Sequence, residues 1–436
     1  MFSRITGSLK RIGFNNSEQS HNKTSEKQRH VESDEESSPS CKKSNCRPER
    51  HAYSRPYFLR LSSEEEMLSR DFRERPVIVS NEPSLIPLGA GYAECINGGK
   101  SEMNEDEAAV GAFHLPTHPN GLVDAVRNID MIDVQYFGIF DGHAGAGAAL
   151  MAADQLINHL QEKLVAIQDD LFLRLPREST ASCFDDSKSK YININIDILV
   201  TGALESAFCD FDEHIAREKN MFNITGGCAA IVVLVMMDRV YVAHAGDCRA
   251  VAYIGNDNVI MAREFTPMTD SERIQAVANL KPDLTYSFFS DNYFLKPLSK
   301  KDLGTQVYCR LPHRRGWYYK EVTEEDLSKP SLVAGQGKFA RLMGTIGVTR
   351  GFGDHNLVMP GTSLQVKPFL TPVPEVRVLP LSDRQVQEND ILVVGCDGLW
   401  DLLTNEEIGA SVKASLEQTS REKLLGQDRF NTMHPT

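Results

Sequence analysis

The sequence predicts an α+β domain: two antiparallel β-sheets packed face to face, helices on the outside, and a disordered tail in front. Three observations predict it. From about residue 76, nine short runs rich in β-branched and apolar residues are separated by turn residues. Two long segments with apolar residues at helical 3/4 spacing interrupt those runs. The runs follow one another as meanders instead of alternating singly with helices, which favours layered antiparallel sheets over a parallel doubly wound one.

The first fourteen residues place Phe2, Ile5, Leu9 and Ile12 on one helical face and Arg4, Lys10 and Arg11 on the others. They read as a short basic amphipathic helix able to make peripheral contact with an anionic membrane. A mitochondrial presequence is the alternative reading, because no acid precedes Glu18. Residues 15–52 hold almost no large apolar side chains and are expected to be a disordered linker. Strands are expected at 76–80, 90–96, 106–115, 133–140, 229–236, 239–245, 249–255, 374–379 and 390–396. Helices are expected over 145–171, where Leu150, Ile157, Leu160 and Leu164 form a stripe, and over 198–218, with Ala203, Ala207, Phe211 and Ile215. A third is expected from Asn405 to about Leu425, capped by Thr404. Segments 184–193 and 281–340 read as turn-rich, weakly periodic insertions, and 426–436 as an irregular tail.

Composition narrows the function classes. The chain has 436 residues, with 47 Lys and Arg against 60 Asp and Glu. The first 52 residues carry 10 basic and 7 acidic side chains, so the body holds 37 against 53. An acidic body argues against a nucleic-acid-binding core, which needs clustered cations for phosphates. No run approaches the roughly 18 apolar residues of a membrane span, so the expectation is a cytoplasmic body. Nine cysteines without a C-x-x-C pair fit a reducing compartment, and Cys228, Cys248 and Cys396, inside apolar runs, read as small buried thiols. His244, in another apolar run, reads as a satisfied core histidine.

The acids carry the functional signal. Asp141 closes the run Tyr136-Phe-Gly-Ile-Phe-Asp-Gly-His143, Asp397 closes Asp390-Ile-Leu-Val-Val-Gly-Cys-Asp-Gly398, Asp247 follows Val240–Gly246, and Asp106 opens a strand after Glu105. Carboxylates on rigid strand ends, without Lys or Arg close by in sequence, suit hard divalent cations such as Mg²⁺ or Mn²⁺. Two such ions can lower the pKa of a shared water and aim it at a phosphoryl or acyl centre. His143, two residues beyond Asp141, is placed to protonate a leaving oxygen. Each piece taken singly is weak, since Asp-Gly is also a common turn.

The ordered set Asn104-Glu-Asp106, Phe140-Asp-Gly-His-Ala-Gly145, Gly226-Gly-Cys-Ala229, Ala245-Gly-Asp-Cys-Arg249, Gly347-Val-Thr-Arg-Gly-Phe-Gly-Asp354 and Gly395-Cys-Asp-Gly-Leu-Trp-Asp401 resembles the metal-dependent (PPM, type 2C) serine/threonine protein phosphatases. The segment from Ser54 to Ala93, with Arg55-Pro-Tyr-Phe-Leu-Arg60, is most similar to the H/J/M subgroup. The resemblance implies a single phosphatase domain over 53–425 that hydrolyses phosphoserine and phosphothreonine with two, or three, Mg²⁺ or Mn²⁺ ions and no covalent intermediate. It implies that Asp141 bridges two metals, that the Gly142 carbonyl and Asp397 each bind one, and that Asp106 and Glu105 hold metal-bound waters. Asp247 would help bind a third ion, and His143 would be the general acid.

Three departures shape the expectations. Where many members carry a phosphate-clamping arginine five residues before Asp106, this chain has Ser101, with Lys100 beside it as a point charge. The usual Gly-Asp-Ser-Arg is Gly-Asp-Cys-Arg. The family's last strand, entered by an Asp-Asn or Asp-Asp pair, has no counterpart in Leu425–Thr436, where Asp428 stands in a different context. A truncated form is therefore expected, and a catalytically impaired binding protein is the alternative function. Insertion 281–340 falls where the family carries a substrate-selecting flap, and Arg314 and Arg315 beside Trp317, Tyr318 and Tyr319 are expected to dock phosphorylated protein substrates.

Overall fold

The structure is a computed structural model that describes residues 51–418 apart from 70–72, 97–102, 117–130, 175–194, 281–288, 290–291, 297, 311–315, 329–330, 383–385 and 388. The amphipathic segment 1–14, nearly all of the 15–52 linker, insertion 184–193, Lys100, Arg314, Arg315 and the chain beyond residue 418 lie outside the described residues.

Eight strands form the sandwich expected from the sequence. In chain order they are β1 (Glu107–Pro116), β2 (Met131–His143), β3 (Gly227–Met236), β4 (Arg239–Ala245), β5 (Arg249–Ile254), β6 (Asp257–Ala262), β7 (Glu375–Pro380) and β8 (Ile391–Gly395). One sheet runs β7-β4-β3-β2-β1, with the two-residue strand Phe352–Gly353 added to the end of β3. The other runs β8-β5-β6. All neighbours in both are antiparallel. Strand β3 is apolar on both faces because it is central and both its faces are covered. Cys228, Ala230, Val232 and Leu234 turn to the helices. Ala229, Ile231 and Val233 turn to the second sheet. Sequence periodicity missed β6, since its polar start Asp257-Asn258 hides the strand. The β3–β4 hairpin closes through Met237 and Asp238, both left-handed at φ 51° and 54°, the twist a two-residue hairpin loop demands.

The long helices α1 (Gly147–Ala166) and α2 (Ile196–Phe222) cover the outer face of the larger sheet. The predicted 145–171 helix is broken at Ile167, whose φ of -108° and ψ of 2° start a short second helix, Gln168–Arg174. Asn195 caps α2, its side chain accepting from Asp197 N at 3.0 Å, and Asn223 ends it in a left-handed turn. The last described helix spans 405–418. Thr404 and Glu407 form a reciprocal cap at its start, with Thr404 N donating to Glu407 Oε2 at 2.8 Å. This helix packs Ile408 on the outer face of the smaller sheet against Tyr253 and Trp400. No strand follows it among the described residues.

One reading gains detail and one is corrected. Within the turn-rich segment 281–340, Tyr293–Phe294, Gln306–Arg310 and Tyr318–Glu321 form a three-stranded antiparallel sheet. Its alternation was obscured by short strands and charged residues. His244 is fully buried, stacks on Phe265 at 4.9 Å and bonds the Arg263 carbonyl through Nε2 at 2.8 Å. Its Nδ1 has no partner, so it is only half satisfied, and burial pushes its pKa down to about 4, keeping it neutral.

Candidate active site

The site forms where strands of both sheets end at the same edge of the sandwich. In the larger sheet Glu107 pairs with Phe140, so the next residues in step, Asp106 and Asp141, lie side by side. In the smaller sheet Gly395 pairs with Arg249, and just beyond these paired ends stand Asp397, at the start of the short helix Asp397–Trp400, and Asp247, near enough for each to feel the other's charge. Packing of the sheets brings the two pairs together. The Asp141 carboxylate accepts from the backbone N–H of Asp397, and it feels Asp106, Asp247 and Asp397 as like charges. Asp106 shares a hydrogen bond with Asp141 and takes another from the Cys396 thiol. Cys396 is therefore half-buried and bonded into the site instead of being an inert core thiol, whereas Cys228 and Cys248 are buried as predicted.

Electrostatics follow from that crowding. Burial, then repulsion from Asp106, Asp247 and Asp397, pushes the pKa of Asp141 up to about 9. Burial and the nearby Asp397 push Asp247 up to about 6. Asp106 is raised by burial as well. Burial alone would lower His143, but its hydrogen bond to Asp354, with the pull of Asp354, Asp247 and Glu105, leaves it raised.

Close approach of the chain makes the edge compact. A Cβ on Gly142 would sit 2.1 Å from the Glu105 carbonyl oxygen, so only glycine lets the 104–106 loop lie on β2. Glu105 Oε1 accepts from Gly145 N at 2.9 Å, tying that loop to the turn after β2. In this turn Ala144 is left-handed at φ 55°, an unusual conformation for a residue with a Cβ.

Two functional positions carried no assigned role in the sequence. Asp354 Oδ2 accepts from His143 Nε2 at 2.8 Å, across 211 residues of chain. Asp354 is itself left-handed at φ 55° and is held by its N–H to Gly226 O at 2.9 Å. Behind it, buried Asp212 accepts from Gly353 N at 2.9 Å and pairs with His355 and Lys367. Arg55, the second position, reaches the Asp106 carbonyl. The strand-end motif around Asp354 was visible in sequence, but nothing in it pointed to His143.

The donor set suits a hard divalent cation: four crowded carboxylates repel one another, and three of them stay raised although Arg55 and His143 offset part of the repulsion. Among the described residues no three His, Cys, Asp or Glu side chains close around a single point.

A layered sandwich with acids gathered at one edge and a carboxylate-held histidine beside them defines a hydrolase-type site. Residues 120–275 and 331–429 match the family described as Protein phosphatase 2C, and the chain belongs to that family. It is 36% identical over 444 residues to Protein phosphatase 1H of Xenopus tropicalis, covering 87% of this chain and 86% of that one. It is 38% identical over 385 residues to Protein phosphatase 1J of Mus musculus, covering 83% and 75%. It is 39% identical over 374 residues to Protein phosphatase 1M of Homo sapiens, covering 84% and 81%. These relatives support the placement in the H/J/M subgroup.

Proposed function

We propose that this chain hydrolyses phosphoserine and phosphothreonine in proteins, with Mg²⁺ or Mn²⁺ held by Asp141, Asp397, the Gly142 carbonyl, Asp106, Glu105 and Asp247. The observation that carries the reading is the gathering of Asp106, Asp141, Asp247 and Asp397 at one edge of the sandwich, in a chain of this family. When bound, two such ions would activate a water and neutralise charge on the phosphoryl oxygens. Around them the chain does three things. The carboxylates orient the reacting groups at the ends of rigid strands. Asp354 fixes the ring of His143, so the nitrogen that faces Asp354 stays protonated and the imidazole remains charged to higher pH. His143, as general acid, delivers a proton to the leaving serine or threonine oxygen. No side chain needs to be phosphorylated on the way.

Purified full chain should release phosphate from a phosphoserine peptide only with Mg²⁺ or Mn²⁺ present, and excess EDTA should reduce the rate by more than about 100-fold. Undiminished turnover in EDTA would refute the reading.

The three-stranded unit of 293–321 is proposed to dock the phosphoprotein. Tyr308 and Tyr319 lie side by side on its exposed face, 42% and 61% accessible, with ring centroids 4.3 Å apart and planes tilted by 32°. An exposed aromatic pair is typical of recognition surfaces. Lys296, just after the first strand of this sheet, is paired with Asp302. The double variant Arg314→Ala/Arg315→Ala should lower kcat/KM on a phosphoprotein by about tenfold and spare a small aryl phosphate. Equal loss on both substrates would defeat docking.

A further inference from the structure

We infer that Arg55 is a positioning residue for the Asn104–Asp106 loop, and that the segment from Tyr53 to Leu61 is a working part of the active site. The inference rests on the metal-site reading above. The segment lies ahead of the residues that match the family, 120–275 and 331–429.

The segment is anchored by packing. Phe58 and Leu59 are fully buried against Ile78, Ile86, Ala108 and Val110, two of which belong to β1. Tyr57 Oη donates to Val110 O at 3.0 Å, and Asn81 N donates to Leu59 O at 2.9 Å. This seats Arg55 beneath the loop that leads into β1. Its guanidinium forks onto Glu94, Nε to Oε1 at 2.9 Å and Nη2 to Oε2 at 2.6 Å. The remaining nitrogen, Nη1, donates to Asp106 O at 2.8 Å, Glu107 Oε1 at 3.1 Å and Asn104 O at 3.4 Å. Tyr53 Oη adds a second donor to Asn104 O at 3.2 Å.

The geometry divides the loop into two sides. Carbonyls of Asn104 and Asp106 are pinned by the buried cation, while the Asp106 carboxyl meets Asp141 and the Cys396 thiol. A purely structural ion pair between Arg55 and Glu94 would not need those carbonyls. Loss of the pin would let Asp106 swing relative to Asp141, and outer groups that orient metal ligands commonly govern metal affinity. Lysine cannot replace the fork, because a single ammonium cannot reach Glu94, Glu107 and two carbonyls at once.

The test uses the full chain and direct calorimetric titration with Mn²⁺, alongside thermal unfolding and steady-state kinetics at varied Mn²⁺. Arg55→Lys should weaken Mn²⁺ binding about tenfold and raise the Mn²⁺ concentration for half-maximal rate to match, with kcat at saturating Mn²⁺ within about threefold of wild type. Mn²⁺ affinity within about twofold of wild type would overturn the inference, whatever happens to the melting temperature. Should Arg55→Lys fail to fold, the variant Arg55→Met/Glu94→Gln/Glu107→Gln, which neutralises both buried carboxylates that Arg55 pairs, is judged by the same affinity criterion. If that also fails, hydrogen exchange on the wild type decides. Mn²⁺ should slow exchange in 53–61 together with 104–108, and protection of the loop without the segment overturns the inference. A wild-type chain that binds no Mn²⁺ would instead overturn the metal-site reading and this inference with it.

Discussion

Asp141→Asn should lower metal-dependent phosphate release by about a thousandfold while leaving the metal-free protein at least as stable as wild type. Both halves follow from the same geometry. Asp141 lies among Asp106, Asp247 and Asp397 and takes the Asp397 N–H, so it is the carboxylate shared by both sheets. Removing its charge removes several kcal/mol of cation-mediated transition-state stabilisation, and each ~1.4 kcal/mol is a factor of ten. For the fold, however, that charge is a burden. Burial and repulsion raise Asp141 to about 9 from an ordinary 3.8, and Asp247 to about 6. A group with a raised folded pKa favours the protonated native state, so its contribution is fully present below the unfolded pKa and is lost as pH rises through the folded one. Metal-free wild type should therefore melt at a lower temperature at pH 9 than at pH 6, and Asp141→Asn should flatten that slope. Retained turnover in Asp141→Asn would remove it from the site, and a melting temperature that rises from pH 6 to pH 9 would contradict the crowding.

Phe352→Ala should produce the opposite profile, a loss of fold more than of chemistry. Its side chain is fully buried, with ring centroids 5.0 Å from Phe208 and 4.9 Å from Phe211, and it ties α2 to the end of β3. Truncating a buried Phe costs about 3–5 kcal/mol through lost transfer energy and the remaining cavity. The next two residues, Gly353 and Asp354, carry the carboxylate that holds His143, so turnover should fall as well. Urea unfolding measures the first effect. A loss below about 1 kcal/mol would mean that the site collapses around the gap or is not packed as described.

Much of the fold was legible because the pattern was local. Strands β2, β3, β4 and β5 alternate or run apolar within six to thirteen residues, and the stripe of α2 repeats every three or four residues. The elements that escaped were those whose burial depends on remote partners. Strand β6 opens on Asp257 and Asn258, and the sheet within 293–321 has strands of two, five and four residues. A chain that short has too few repeats to show a period.

The candidate site divides the same way. Sequence alone determined the acids and where each would stand, because Asp106, Asp141, Asp247 and Asp397 each adjoin their own strand, and it determined the family through the order of those motifs. Tertiary structure alone decided which of them meet, since Asp106 reaches Asp141 through the register of β1 on β2, and Asp247 and Asp397 approach from a bend and a helix start beyond the paired ends of β5 and β8. It also decided what holds them. Arg55 lies 51 residues from the carbonyl it grips, and Asp354 lies 211 residues from His143. Local pattern reports burial and turn chemistry, but a hydrogen bond between distant segments is set by sheet register and packing, which no window of sequence contains.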